Sequence, residues 1–326
     1  MALRVRKAGR FGRATIVARD RCGAALVPVP LVRLRAGRSA VSYPVPTVRR
    51  AVLEIGPMVV SRGDPFGLAH SDRAFGGRAR VWVHPTVHPI QAIPVGTVRS
   101  LEGRVDAVAH GSITFHALRE YVVGDDLRHV HWRTSARIGE LMVREHVDTS
   151  EPRITVLLDD RLAAYQVAPA IVDGSVVAGR EAYEASCEAA ASVLVAALRA
   201  GLATELHLVG GRSAAGGSAT PFLDLLADAE LYGEADGVTG GDELRIAVER
   251  LRHRRLGDTL VFLTGPRRAE DVLVVGALRD LYPSVVVGRL GATDRGRAVT
   301  GGLLVINAES GADFAASWDG RAESSP

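Results

Sequence analysis

From Arg153 the sequence reads Arg-Ile-Thr-Val-Leu-Leu-Asp-Asp, a continuous apolar run closed by two acids. The pattern that follows constrains the fold more than any other feature of the chain. Apolar runs recur at Thr259–Leu263, Val285–Val287 and Leu303–Ile306, and Thr204–Val209 reads as a further strand. Between them lie helical patterns at Glu181–Arg199, Pro221–Glu230, Glu243–Arg255 and Glu270–Leu281. A strand that is apolar at every position has to be covered on both faces, and such strands alternating with helices build a mainly parallel sheet. Gly201 stands at the C-terminal cap position of the first helix, and Pro221 in the first turn of the second, where its missing N–H is no loss. The alanine-rich Glu181–Arg199 helix reads as core, packed closely on the sheet. The Ser, Gly and charge composition of residues 309–326 reads as a flexible tail.

Residues 1–84 follow a different pattern. ATIVARD, ALVPVPLVRLRA, SAVSYPV, RRAVLEIGPMVVS and RARVWVHP are short β-rich runs separated by Gly, Pro and Arg. Short strands at close spacing predict a β-sandwich, with Pro28, Pro30, Pro44 and Pro46 at edges or bends because proline cannot donate to a ladder. Residues 85–110 read as an irregular connection. The predicted class is therefore α+β in two domains: a β-sandwich over 1–84, and an α/β domain over 151–308 entered through a charged segment at 111–150.

A length of 326 residues and an apolar fraction of 47% suffice for two cores. Lys7 is the only lysine, so nearly all positive charge is arginine, whose planar fork suits carboxylate and phosphate alike. A net charge of +3 gives little support to a polyanion partner. Cys22 and Cys187 share no metal-ligand spacing and read as reduced, buried thiols. No signal peptide is legible, and the longest apolar run, Ala189–Leu198, is half the roughly 20 residues that span a bilayer. The expected location is cytoplasmic or peripheral to the plasma membrane.

The segment Gly111–Glu145 sets Arg119, Arg128, Arg133, Arg137 and Arg144 among Glu120, Asp125, Asp126, Glu140 and Glu145, with Trp132 interleaved. One reading pairs these charges to pin the two domains together, with Trp132 as the apolar anchor and Gly124-Asp125-Asp126 as a turn. The other turns some arginines outward to an acidic partner or polyanion. Within it, Leu118-Arg-Glu-Tyr-Val-Val-Gly-Asp-Asp-Leu-Arg128, His131-Trp132, Ser135-Ala-Arg137, Gly139-Glu-Leu141 and Val143-Arg-Glu145 resemble the signature of the bacterial family called domain of unknown function 58. Gly56-Pro57 and Asp64-Pro-Phe-Gly-Leu68 match its pattern further upstream. The motif residues are thus Arg119, Glu120, Tyr121, Gly124, Asp125, Asp126, Arg128, Trp132, Ser135 and Arg137. The family more often has Asp where His131 stands, and it usually carries transmembrane helices before the β-rich region. The resemblance implies a von Willebrand A-like fold for the C-terminal half and a MoxR-type AAA+ ATPase as partner. It brings no established reaction.

A von Willebrand A-like domain implies a metal-ion-dependent adhesion site where the first strand ends, built from Asp-x-Ser-x-Ser, a Thr and a further Asp. The chain has Asp159-Asp160-Arg161-Leu162-Ala163, so Arg161 and Ala163 replace both hydroxyls. Thr264 stands in place of the last acid, and Thr220 is the candidate middle ligand. A fixed cation beside Asp159 opposes a divalent ion, so no metal or other cofactor is expected, and Arg161 is expected to pair with Asp159 or Asp160. Ligands of parallel sheets bind beyond the carboxyl ends of strands; Asp159, Asp160, Arg161, Thr264 and Gly265 are therefore the predicted binding rim. His84 and His88 in HPTVHP are four apart, but Pro85 and Pro89 oppose the helix a metal pair would need. No P-loop or nucleophile elbow occurs, and Gly210–Gly217 reads as a flexible loop. Without a complete catalytic set, the expected function is a non-enzymatic interaction protein. Two alternatives stay open: a hydrolase using Asp159, Asp160 and His131 or His129, and an arginine-rich polyanion-binding module.

Overall fold

A computed structural model describes residues 2–7, 15–29, 37–45, 47–63, 68–91, 93, 98–99, 105–106, 117–121, 130–145, 152–165, 171–172, 175–233, 240–254 and 258–320. Met1–Pro85 with Leu223–Ala229 form one compact unit, and Thr86–Phe222 with Glu230–Pro326 a second. The chain is α+β, with an antiparallel sheet first and a mixed sheet later.

The first unit contains β1 (Ala2–Lys7), β2 (Thr15–Cys22), β3 (Ala25–Val29), β4 (Gly37–Ser42), β5 (Ala51–Ile55), β6 (Met58–Gly63), β7 (His70–Phe75) and β8 (Ala79–Val83). Six of them form an antiparallel sheet in the order β7-β6-β2-β5-β8, with β3 paired to β2, while β1 and β4 form a separate ribbon. The run RRAVLEIGPMVVS, predicted as one strand, is two, β5 and β6. The break falls at Gly56-Pro57, where proline has no N–H for the ladder. Ala18, Val29 and Tyr43 are the buried centre, with Val27, Val45, Met58 and Val60 against them. The Tyr43 hydroxyl donates to the buried Asp20 carboxylate. Burial, and then that carboxylate, hold the phenol above its ordinary pKa.

In the second unit β9 (Val98–Arg99) pairs with β10 (Val105–Asp106), and β11 (Ala117–Glu120) with β12 (Met142–Glu145), with helix α1 (Trp132–Ile138) between the latter two. Then follow β13 (Arg153–Leu158), α2 (Leu162–Tyr165), the ribbon of β14 (Ile171–Val172) and β15 (Ser175–Val176), α3 (Val177–Arg199), β16 (Ala203–Leu208), β17 (Ser213–Ala215), α4 (Thr220–Ala227), which from Leu223 belongs to the first unit, and α5 (Gly240–Arg254). The series ends with β18 (Thr259–Thr264), α6 (Asp271–Gly276), β19 (Ser284–Leu290), β20 (Gly296–Thr300), β21 (Leu303–Ala308) and α7 (Gly311–Asp319).

The sheet runs β17-β16-β13-β18-β19-β21-β20. Its five central strands are parallel, in the doubly wound order 2-1-3-4-5 when they are counted along the chain, and its two edges are antiparallel. Apolar side chains cover both faces, as the runs require. Leu157, Leu260, Phe262, Val285, Val287, Leu303 and Val305 meet Leu244, Ala247, Val248 and Leu251 of α5 and Val272 and Val275 of α6. Helices α3 and α7 pack on each other and on the sheet; in α3 the alanines at 182, 185, 189, 190 and 191 are all buried.

Three expectations are corrected here. The tail over 309–326 is helical through Asp319: Ser310 caps α7 by accepting from the Asp313 N–H, and Phe314 and Trp318, four apart on one face, are buried. Burying two such side chains stabilises by several kcal/mol, enough to outweigh a polar composition. Gly210–Gly217 is not a loop throughout, because Ser213–Ala215 add an edge strand to β16. The predicted helix from Glu270 to Leu281 is α-helical only over Asp271–Gly276. Cys22 and Cys187 are free and buried, as expected. Among the described residues no helix is long and apolar enough to cross a membrane.

Candidate functional site

β13 and β18 are parallel neighbours in register, Leu158 beside Leu263, so Asp159 and Thr264 leave the sheet side by side. The Asp159 N–H donates to the Leu263 carbonyl (2.8 Å), which fixes the backbone there. This is the point where the strand order reverses, the position at which doubly wound sheets open a crevice. Here the crevice is filled. The Arg161 guanidinium grips Asp159 with two parallel bonds, Nε to Oδ1 (2.8 Å) and Nη2 to Oδ2 (2.7 Å). Nη2 also donates to Oδ2 of Asp271 (2.6 Å), and the Thr264 hydroxyl donates to Oδ2 of Asp159 (2.8 Å). The Arg161 backbone N–H adds a bond to Asp159 Oδ1 (3.1 Å), and the Tyr165 hydroxyl one to the Asp159 carbonyl (2.7 Å).

Arg161 is 1% exposed, and Asp159, Thr264 and Asp271 are equally deep. A charge this deep is tolerable only when paired and hydrogen-bonded, and a bidentate fork is the strongest pairing available. Burial pulls the Arg161 pKa down, but the bonds and charges of Asp159 and Asp271 outweigh it and hold it above its ordinary value. Burial raises Asp271, and Arg161 offsets part of the rise. Arg268 stands 3.5 Å from the other oxygen of Asp271, bringing a second guanidinium to that carboxylate.

Asp160 faces a different way. Its Oδ1 accepts from the Gly210 N–H (2.8 Å), its carbonyl from the Tyr232 N–H (3.0 Å), and the Tyr232 carbonyl in turn accepts from the Leu162 N–H (2.9 Å). One residue thereby ties together the loops after β13, β16 and α4. Burial pushes its carboxyl up to about 7, against the pull of the Gly210 bond. Gly265 is demanded by contact: a Cβ there would lie 2.2 Å from the Ala164 carbonyl oxygen, so the turn after β18 lies flat on α2.

The five predicted rim residues are therefore brought together, but inward. All five are buried, because the guanidinium and α2 occupy the space beyond the strands. Arg161 takes Asp159, not Asp160, as its bidentate partner. Asp271, seven residues past Thr264 at the start of α6, joins them as the second carboxylate on Arg161. Sequence reasoning missed it because its spacing from β18 depends on the length of a turn; the acidic pair Glu270-Asp271 at a helix start was the available signal. Tyr165 was findable as the residue one helical turn after Arg161. Tyr232 had no signal, since it arrives by backbone pairing. Thr220 is exposed at the start of α4 and makes no bond to this cluster. The oxygens on Asp159, Thr264 and Asp271 are the donor types a hard cation takes. Both oxygens of Asp159 are nonetheless bound to a guanidinium, and a divalent ion placed on them would stand against that charge. The residues present do not fit such an ion.

The family-motif segment supplies a second cluster. His131 caps α1: its Nδ1 accepts from the Thr134 N–H (3.2 Å) and lies 2.6 Å from the Thr134 hydroxyl. Ser135, buried, donates to the His131 carbonyl (3.1 Å) and accepts from the Met142 N–H (2.8 Å). Gly139 ends the helix at φ +87°, a left-handed cap, with its N–H on the Ser135 carbonyl. His131 N–H to Met142 carbonyl (2.7 Å) and Tyr121 N–H to Leu141 carbonyl (2.8 Å) fasten the helix to the β11–β12 pair. Val130 and Val143 are the buried apolar contact beneath.

Trp132 is not the expected anchor; it is 63% exposed. Arg137 is exposed and, among the described residues, makes no ion pair. Glu120 is exposed, Tyr121 half-buried, and Arg119 stands opposite Val143 in register. Gly124, Asp125, Asp126, Arg128 and His129 lie outside the described residues. His84 and His88 do not share a site. His84 meets Asp224 (2.8 Å), while His88 meets Glu188 (2.9 Å) and donates its N–H to Ser192 (2.9 Å).

Residues 117–272 match the family described as Protein of unknown function DUF58. The match begins at β11 and ends just past Asp271, so it contains both clusters. No curated protein and no solved structure matches the chain.

Proposed function

From a chain that carries a DUF58 segment over residues 117–272, we propose a non-enzymatic interaction protein whose von Willebrand A-like domain has exchanged its metal ion for an arginine. The observation that carries this reading is the fork of Arg161 on Asp159, with Thr264 and Asp271 on the same groups. These are the positions where an adhesion-type ion would sit, and the one cation of the Asp159–Arg161 loop is covalent. The doubly wound order, with Asp159 at the reversal point, favours the fold assignment. The sandwich reading of the first unit rests on Tyr43, which follows the β1–β4 ribbon and packs on Ala18 and Val29 of the six-stranded sheet.

The partner we propose, from the family resemblance, is a MoxR-type AAA+ ATPase, and the location is the cytoplasm or the membrane periphery. The hydrolase alternative loses ground because Asp159 is already bound by Arg161 and Thr264, and His131 by Thr134. A general base needs its lone pair directed at a substrate proton.

Two measurements test the proposal. Calorimetric titration with Mg²⁺ and Mn²⁺ should give no micromolar site; such a site, abolished in Asp159→Asn, would sink the exchanged-ion reading. Affinity purification of the tagged chain from its native host should bring down an AAA+ ATPase. Recovery of none, together with turnover of a substrate by the pure chain, would overturn the scaffold reading.

A further inference from the structure

On α1, Trp132, Arg133, Ala136 and Arg137 occupy positions i, i+1, i+4 and i+5, so they share one side of the helix. All four are exposed, and Trp132 shows 63% of its surface. Among the described residues neither arginine makes an ion pair, and the helix carries no acid in its first turn. An exposed indole thus stands beside two guanidiniums that make no ion pair among the described residues, and Trp and Arg are the residue types that dominate binding hot spots.

The face is also rigid. Ser135 is bonded at both its donor and its acceptor, Gly139 closes the C-terminus, His131 caps the N-terminus, and Val130 and Val143 lie beneath. A helix backbone held this way loses little further freedom on binding.

We infer that this side of α1 is a docking surface for an acidic segment of another protein, one whose carboxylates meet Arg133 and Arg137 while an apolar side chain covers Trp132. Charge complementarity selects the occupant, since Trp132, Arg133, Ala136 and Arg137 offer two cations and an aromatic and none of the four is acidic. A nucleic acid fits less well, for two cations with Glu140 nearby are far fewer than the phosphate contacts such binding uses. A lipid surface fits less well too, because a seven-residue helix bolted to a β-pair cannot lay a long apolar face into a membrane.

The inference names the contact face for the partner role proposed above, yet it can fail separately. The test places a photocrosslinking benzoyl-phenylalanine at Ala136 of the full chain in its native host. The expected product is a crosslink to a segment of another protein rich in Asp and Glu. A synthetic peptide of that segment should bind the purified chain. Arg133→Glu/Arg137→Glu and, separately, Trp132→Ala should weaken the peptide at least about tenfold, with the melting temperature unchanged. The peptide with its acids changed to Lys should lose binding to the wild type and regain it with the Arg133→Glu/Arg137→Glu chain. Crosslinks only within the chain, to nucleic acid or to lipid, no crosslink, or equal binding by the variants would each overturn the inference. An acidic segment on a protein other than an AAA+ ATPase would sustain this face and remove the ATPase reading. An ATPase that co-purifies but crosslinks nowhere near Ala136 would do the reverse.

Discussion

At the scale of single residues, Arg161 and Asp160 are neighbours with opposite electrostatic fates. Arg161 is satisfied by two carboxylates, so its removal strands both in the interior. Arg161→Met is expected to cost about 3–5 kcal/mol at neutral pH, measured by urea unfolding. The loss should shrink as pH falls and the stranded acids take up protons. Asp159→Asn/Arg161→Met/Asp271→Asn, which removes charge and countercharge together, should recover much of it. Asp160 keeps its proton up to about 7, whereas an unfolded aspartate releases it near 3.8. Between those values the folded chain holds more protons than the unfolded one, so this group makes stability fall as pH rises across the window. Asp160→Asn keeps the oxygen that accepts from Gly210. It is expected to raise the melting temperature by roughly 2–6 °C at pH 8, with the gain fading towards pH 4. An equal gain at both pH values would show that the carboxyl is not protonated in the fold. That Arg161 pairs with an acid of its own loop was legible in the sequence; the choice of Asp159 over Asp160 was not, because both stand within two residues of it. The share taken by Asp271 was not, because it depends on how the chain returns after β18.

At the scale of elements, the continuous apolar runs announced the parallel strands, since full burial leaves no alternative to a covered sheet. The edges β17 and β20 were not announced. They are half-solvated hairpin additions, and Ser213-Ala-Ala215 has no period to read. Helix α7 was hidden by its composition, because two buried aromatics four apart outweigh the serines and acids around them. Helix α1 depends on small parts. Ser135→Ala removes the acceptor for the Met142 N–H and is expected to cost about 1–2 kcal/mol, with faster hydrogen exchange at Met142. Gly139→Ala forces a left-handed φ on a residue with a Cβ and should cost about 1 kcal/mol. Either substitution should leave exchange in β13 and β18 unchanged, which separates a local effect from a global one.

At the scale of the whole molecule, stability is unevenly distributed. β13, β18 and β19 are buried nearly end to end, while β7 exposes every residue and β8 all but Val83. Amide exchange is therefore expected to be slowest in the three central strands and fastest in β7 and β8. Acrylamide should quench Trp82 and Trp132 readily and Trp318 poorly; slow quenching of Trp132 would mean that its face is covered. The succession of an antiparallel sheet and a mixed one was legible because the hydrophobic period changes between residues 84 and 153. The direction in which Trp132 faces was not, because a seven-residue helix has no apolar period from which its outer side can be read. The buried fork of Arg161 has a consequence for any cell that makes this chain. A guanidinium tethered through its own side chain cannot be stripped by a chelator, diluted away or exchanged for another ion. The end of the central strand thus carries its countercharge within the chain, and the network of Asp159, Thr264 and Asp271 is expected to keep its geometry when free magnesium or calcium is varied.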